Sequence, residues 1–179
     1  MQKNQWVGLD PEKFKPYQKW QTPAGYLCGT YATAVLLAYY QDQLDENILP
    51  AYLRLKNQSD CTTLVNFLRL FIQKHGLPTI APQLSCGLEN YFSYINSPHH
   101  ARATLIGGWQ RAVKRLDAGQ PLIVGLNAMA GSTYGNHWVV AYAYYENDAG
   151  QRFLKIHDNW GNYEKVIPQK WLNATISLC

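Results

Sequence analysis

The sequence has few of the features that mark specialised protein classes. Its four cysteines lie far apart with no CxxC pair, which argues against a zinc ribbon and against a thioredoxin-type redox site. Its longest apolar runs are much shorter than a bilayer-spanning helix, and its start has no apolar signal core, so we expect neither a membrane segment nor a signal peptide. Lysine and arginine form no basic cluster, and we expect no nucleic-acid partner.

The chain does contain enough apolar sequence for one well-filled core. Hydrophobic residues make up 47% of the 179 positions, and neither a linker nor a repeat divides them, so we expect a single domain over residues 1–179. A disulfide framework is not expected at this size, although one bridge between Cys61 and Cys86 stays open. The adjacent His99 and His100 lie in a polar segment, which is more typical of an exposed loop than of a metal site.

The pattern along the chain changes near residue 120. Before that point, apolar spacing and turn residues predict helices over 30–41, 46–55, 61–75, 88–94 and 108–118. Beyond it, β-rich runs bounded by turns predict strands over 121–127, 137–145, 153–157 and 163–167, followed by a short helix over 168–172. Helices followed by antiparallel strands indicate an α+β fold with two lobes, one helical and one built on a sheet.

Cys28 lies where the helix of 30–41 should begin, in the segment PAGYLCGTYATAVLLAYYQ. Because the residues that follow are apolar on nearly every face, this helix should be buried in the centre of the protein. A thiol in the first turn is close to unsatisfied backbone N–H groups and to the positive end of the helix dipole, so we expect it to ionise more easily than a free thiol. Gly25 and Gly29 should give the backbone room to turn and a substrate room to approach.

His137 and Asp158 are the other residues with catalytic character. His137 begins a predicted strand after the polar loop GSTYGN, and Asp158 ends the next strand in IHDNWG. A turn over 147–150 joins these two strands, so the start of the first should lie beside the end of the second. A carboxylate at that place could fix the tautomer of an imidazole that takes a proton from a thiol.

These segments resemble the papain-like cysteine peptidases and, among them, the bacterial double-glycine leader peptidases and their free-standing relatives. The resemblance covers most of the chain: a glutamine-bearing segment before Cys28, the passage VKRLDAGQPLIVGL, then HWVVAYAY, and finally IHDNWG. It implies a papain-like two-lobed fold whose central helix starts at the nucleophile. It also implies that Cys28 is the nucleophile, His137 the general base and Asp158 the residue that orients the imidazole.

The resemblance further implies a glutamine that binds the oxyanion, a few residues before the nucleophile. Gln21 has the matching offset, and Gln18 is the second candidate. Asn159 competes with Asp158 for the orienting role, and it stands where the leader peptidases usually have proline. Trp160 either shields the catalytic hydrogen bond from water or is a core aromatic residue.

The chemistry implied is hydrolysis of a peptide or amide bond through a thioester, which needs no metal or organic cofactor. Two alternatives stay open. The same triad could serve a transferase, a deamidase or a bacterial toxin that acts on another protein, or the chain could be an inactive binding module. The expected partner is a peptide or protein substrate, and an inhibitor or immunity protein is left open. A reactive thiol favours a reducing, cytoplasmic site of action.

Overall fold

An antiparallel sheet and a set of helices make up this computed structural model, which describes residues 3–23, 25–54, 60–73 and 76–179. The α-helices in these ranges are α1 (Cys28–Gln43), α2 (Thr62–Ile72), α3 (Ala81–Tyr94) and α4 (Gly108–Asp117). The strands are β1 (Val7–Gly8), β2 (Ala101–Thr104), β3 (Leu122–Leu126), β4 (His137–Glu146), β5 (Arg152–His157), β6 (Lys165–Pro168) and β7 (Leu172–Leu178). The α+β class expected from the sequence is confirmed.

The sheet has the strand order β2-β7-β3-β4-β5-β6, and β1 also pairs with β4. β4 is its longest strand and pairs with β3 so that His137 lies opposite Leu126. β4 and β5 form a hairpin in which Val140 lies opposite His157. The start of β4 and the end of β5 therefore meet at one edge of the sheet, as the turn over 147–150 predicts.

Helices cover both faces of the sheet. α1 packs on β4 and on α2, and its residues from Ala32 to Tyr40 are all buried, as a helix that is apolar on nearly every face should be. α4 packs on the opposite face, where Trp109, Ala112 and Leu116 join a second apolar cluster with β3 and β4. The helical lobe is thus formed by α1, α2 and α3, and α4 belongs to the sheet lobe.

Several predicted elements have different bounds in the structure. The helix predicted over 46–55 is wrong for the described residues, which form only a 3-10 turn at Ala51–Leu53 after Pro50. Residue 55 lies outside the described ranges. The helix predicted over 88–94 is the second half of α3. The helix predicted over 168–172 is a 3-10 turn at Gln169–Trp171 that leads directly into β7. The sequence pattern missed β1, β2 and β7.

The cysteines, all of which the structure describes, form no disulfide, and His99 and His100 each contact a carboxylate. All four cysteines are free thiols, including Cys61 and Cys86. Nε2 of His99 lies 2.8 Å from Oδ2 of Asp45, and Nδ1 of His100 lies 3.2 Å from a carboxylate oxygen of Glu89. Within the described ranges, no cluster of three metal-ligating side chains is found, and no helix is both long and apolar enough to cross a membrane.

Candidate active site

A cleft of about 580 Å³ lies between the helical lobe and the sheet. Its walls come from the start of α1, from the segment that leads into α3, and from the ends of β3, β4 and β7. Cys28 and His137 both line this cleft. The structure therefore brings together a sulfur from the first helix and an imidazole from the central strand, which are more than one hundred residues apart in the sequence.

Cys28 is the first residue of α1, and no side chain caps this helix end. Three backbone N–H groups lie where they favour the thiolate: that of Trp138, the residue after His137, that of Gly29 and that of Cys28 itself. Gly29 is needed here for packing, because a Cβ at this position would collide with the hydroxyl of Thr79 and would lie 2.9 Å from Leu84. The expectation that Gly29 leaves room for a substrate is therefore wrong, since Thr79 fills that space.

The electrostatic surroundings of Cys28 also differ from the expectation. Burial raises the pKa of the Cys28 thiol, and the three backbone N–H groups oppose this rise without cancelling it. The helix end alone predicts easier ionisation, because it takes no account of burial. The structure instead favours a neutral thiol in the resting protein, because loss of water around the sulfur outweighs the N–H donors.

His137 is 4% exposed, and the main chain fixes its ring. Its Nε2 lies 2.8 Å from the backbone oxygen of Asp158, which can only accept a hydrogen bond, so Nε2 must carry a hydrogen. In the neutral ring, Nδ1 then has a free lone pair. Burial lowers the pKa of His137, although the hydrogen bond to the Asp158 backbone oxygen and, to a smaller extent, the negative charge of Asp158 oppose this effect. The resting imidazole is thus a neutral proton acceptor.

The Asp158 carboxylate is bound by its own turn. Oδ1 accepts from the backbone N–H of Trp160 at 2.8 Å and of Asn162 at 2.9 Å. Oδ2 accepts from the Asn162 side-chain amide at 2.9 Å and from the Tyr134 hydroxyl at 3.0 Å. The residue expected to orient His137 is thus beside it, but its main-chain oxygen makes the contact. The carboxylate holds the turn and reaches the imidazole only through its charge.

Two aromatic rings enclose His137. The Trp160 ring centroid lies 4.5 Å from that of His137, and the Tyr134 ring is stacked at 5.7 Å with an interplanar angle of 12°. Trp160 remains 47% exposed, so it covers the histidine and is not a core residue. Tyr134 was missed in the sequence, where the only signal is an aromatic residue in the polar loop just before His137.

Both candidate glutamines lie beside the turn that follows Asp158. The Gln18 side-chain amide donates to the backbone oxygen of Gly161 at 2.9 Å. Gln21 is exposed, and its Nε2 lies 3.0 Å from the position that a Cβ of Gly161 would occupy. Its amide has no hydrogen-bond partner among the described residues. Neither glutamine is among the described residues that line the cleft.

Comparison with known proteins gives both a family and a fold. Residues 11–175 match the model of the family described as Peptidase_C39 like family. A solved C39-like peptidase from Bacillus anthracis matches with a TM-score of 0.57 and 14% identity over 98% of both chains. A recombinant stem bromelain precursor matches with a TM-score of 0.41 and 9% identity, over 96% of this chain and 74% of that one. A search of curated proteins finds no match.

Proposed function

Because this chain belongs to the C39-like peptidase family and has the papain-like fold predicted from its sequence, we propose that it is a cysteine peptidase that hydrolyses peptide bonds through a thioester on Cys28. One observation carries the proposal. Cys28 and His137 line the same cleft, and the backbone N–H of Trp138, which follows His137, lies where it favours the Cys28 thiolate. A nucleophile and a base from different lobes are thus held within one open cavity.

In the proposed acylation step, Nδ1 of His137 takes the proton of the Cys28 thiol while the sulfur attacks the scissile carbonyl. The neutral forms of both groups are favoured at rest, so this proton moves during the attack and not before it. The imidazolium then gives its proton to the leaving amine as the C–N bond breaks. A water molecule, deprotonated by His137, finally cleaves the thioester and releases the acid.

Two groups are proposed to stabilise the oxyanion that forms during attack. The backbone N–H of Cys28 stands at the start of α1, where no helical acceptor uses it. Gln21 supplies the second donor. Its amide has no partner in the part of the chain that the structure describes, whereas the Gln18 amide is bound to Gly161, and this supports Gln21 over Gln18. A single donor of this kind is worth about 10²–10³-fold in kcat.

The surface around the cleft supports a peptide or protein as the substrate. Ile80, Leu105 and Tyr26 line the cleft and are each more than half exposed, so apolar side chains of a bound chain would find apolar contacts there. Hydrolysis is the proposed outcome, with water as the acceptor of the acyl group.

Cleavage of a mixed peptide library, followed by mass spectrometry, tests this function. The wild-type protein should produce free acid and amine termini at defined bonds, and Cys28→Ala should produce none. Cys86→Ala is the matched control, because Cys86 is an exposed free thiol, and it should cleave like the wild type. Cleavage by Cys28→Ala at the wild-type rate would exclude the mechanism. Conjugates with an added amine, formed without free acid, would show acyl transfer in place of hydrolysis.

A further inference from the structure

A buried polar pair lies behind the candidate active site and takes no part in the steps above. His157 is the last residue of β5, Asn159 lies two residues later, and both are 0% exposed. Polar side chains with no exposed surface are costly unless every group finds a partner. The partners of this pair belong to the segments that carry the proposed catalytic groups.

His157 connects the turn after Asp158 to the segment that leads to Gln21. Its Nε2 lies 3.0 Å from the backbone oxygen of Tyr17, so that nitrogen carries a hydrogen. Its Nδ1 lies 3.0 Å from the side-chain oxygen of Asn159 and 3.3 Å from the Asn159 backbone nitrogen. Burial lowers the pKa of His157, and its hydrogen bonds to Asn159 and to the Tyr17 backbone oxygen oppose this effect.

Asn159 makes two further links. Its side-chain amide donates to the backbone oxygen of Trp138 at 3.0 Å, directly after His137. Its own backbone oxygen accepts from the N–H of Thr22 at 2.8 Å, directly after Gln21. Asn159 adopts a φ of 57°, a left-handed conformation that asparagine tolerates better than most residues. A proline at this position could not adopt that φ.

We propose that His157 and Asn159 are positioning residues that hold the segment of residues 18–22 at a fixed place relative to β4. This inference rests on the proposed function, because what they position is the Gln21 amide relative to the oxyanion on Cys28. Their hydrogen bonds join the residue after Gln21 to the residue after His137 through one buried side chain. A small displacement of an oxyanion donor has a large effect on rate, since such donors act only at the right distance.

Two chemical probes separate this role from a general effect on Cys28. Alkylation by iodoacetamide is displacement at a saturated carbon and forms no oxyanion. Acylation by p-nitrophenyl acetate passes through a tetrahedral oxyanion. We expect His157→Phe, which keeps the ring volume without the ring nitrogens, to lower Cys28-dependent ester turnover about tenfold or more. The alkylation rate of Cys28 should stay within about twofold of wild type, because no oxyanion donor takes part. His157→Gln, which can still donate and accept, should recover part of the loss.

A double-mutant cycle with Gln21→Ala gives the decisive result. If His157 acts through Gln21, the double variant Gln21→Ala/His157→Phe should turn over ester at nearly the rate of Gln21→Ala alone. Independent losses that multiply, or ester turnover unchanged in His157→Phe, would overturn the inference. If His157→Phe does not fold, the same cycle with His157→Gln decides by the same criterion. Absence of Cys28-dependent ester turnover in the wild type would instead reject the proposed function.

Discussion

Replacement of Asp158 by asparagine tests how this carboxylate acts on His137. In a triad whose carboxylate binds the imidazole directly, this change costs about 10⁴-fold in kcat because the imidazole takes the wrong tautomer. Here the backbone oxygen of Asp158 binds Nε2 at 2.8 Å, and the substitution keeps that oxygen. The tautomer of His137 should therefore survive in Asp158→Asn.

The loss of kcat that we expect in Asp158→Asn is therefore electrostatic. The negative charge of Asp158 raises the pKa of His137, and the same charge stabilises the imidazolium that forms during attack. An opposite charge at close range changes such an equilibrium by about 1–3 pKa units, and each unit is worth about 1.4 kcal/mol. This charge is the smallest of the effects on the His137 pKa, so the lower end of that range applies, and we expect Asp158→Asn to lower kcat by about tenfold, which corresponds to about 1.4 kcal/mol. Loss of the charge should also lower the pKa of His137 further, so the acidic limb of the pH–rate profile should move to lower pH.

Cys28-dependent hydrolysis of p-nitrophenyl acetate across a pH series measures both effects. Tyr134→Phe is the control, because it removes one hydrogen bond from the carboxylate and keeps the ring stacked on His137. Its turnover should fall by less than that of Asp158→Asn. A loss near 10⁴-fold in Asp158→Asn, or an acidic limb that moves to higher pH, would refute the assignment of the orienting contact to the main chain.

Three further predictions concern the thiol, its helix and the buried histidine. Because burial raises the pKa of Cys28 above 9.0, the thiol should be neutral at pH 7. The ultraviolet difference spectrum between wild type and Cys28→Ala should then show no thiolate band at that pH, and the presence of such a band would contradict a neutral Cys28. Gly29→Ala should lower the free energy of unfolding in urea by about 1–3 kcal/mol, since its Cβ collides with buried Thr79, and Gly29→Ala/Thr79→Ala should recover part of that loss. Burial lowers the pKa of His157 below 6.5, so the unfolded chain binds a proton that the folded protein does not. The free energy of unfolding should then fall as pH drops below about 6.5, by up to about 1.4 kcal/mol per pH unit. His157→Phe should reduce this slope, and an unchanged slope would contradict the assignment to His157.

The parts of the fold that depend on local pattern could be predicted. The apolar run after Cys28 is long and nearly uninterrupted, and the helix begins at that residue. The hairpin of β4 and β5 follows from two β-rich runs joined by a short turn, which also placed His137 beside Asp158.

Other parts depend on contacts that no local pattern specifies. β7 lies inside the sheet, but two of its fully buried residues, Thr175 and Ser177, are polar. The sequence there therefore lacks the continuous apolar run that predicts a buried strand. Gly29 packs against Thr79, which is fifty residues away in the sequence, so no local pattern shows that a Cβ at Gly29 would collide there. The side-chain direction of Asp158 depends on the left-handed conformation of Asn159, which turns the next N–H groups toward the carboxylate.

The pH dependence of Cys28 alkylation tests the central claim most directly, with and without His137. Mass spectrometry after iodoacetamide treatment gives the rate for each cysteine in the same sample. The Cys28 thiol is neutral at rest, so if His137 takes its proton during attack, Cys28 should be alkylated faster at neutral pH than a buried thiol without a base, with an acidic limb centred below pH 6.5. His137→Ala should abolish that limb and the rate advantage together. A Cys28 alkylation rate or a pH profile that is unchanged in His137→Ala would contradict the account.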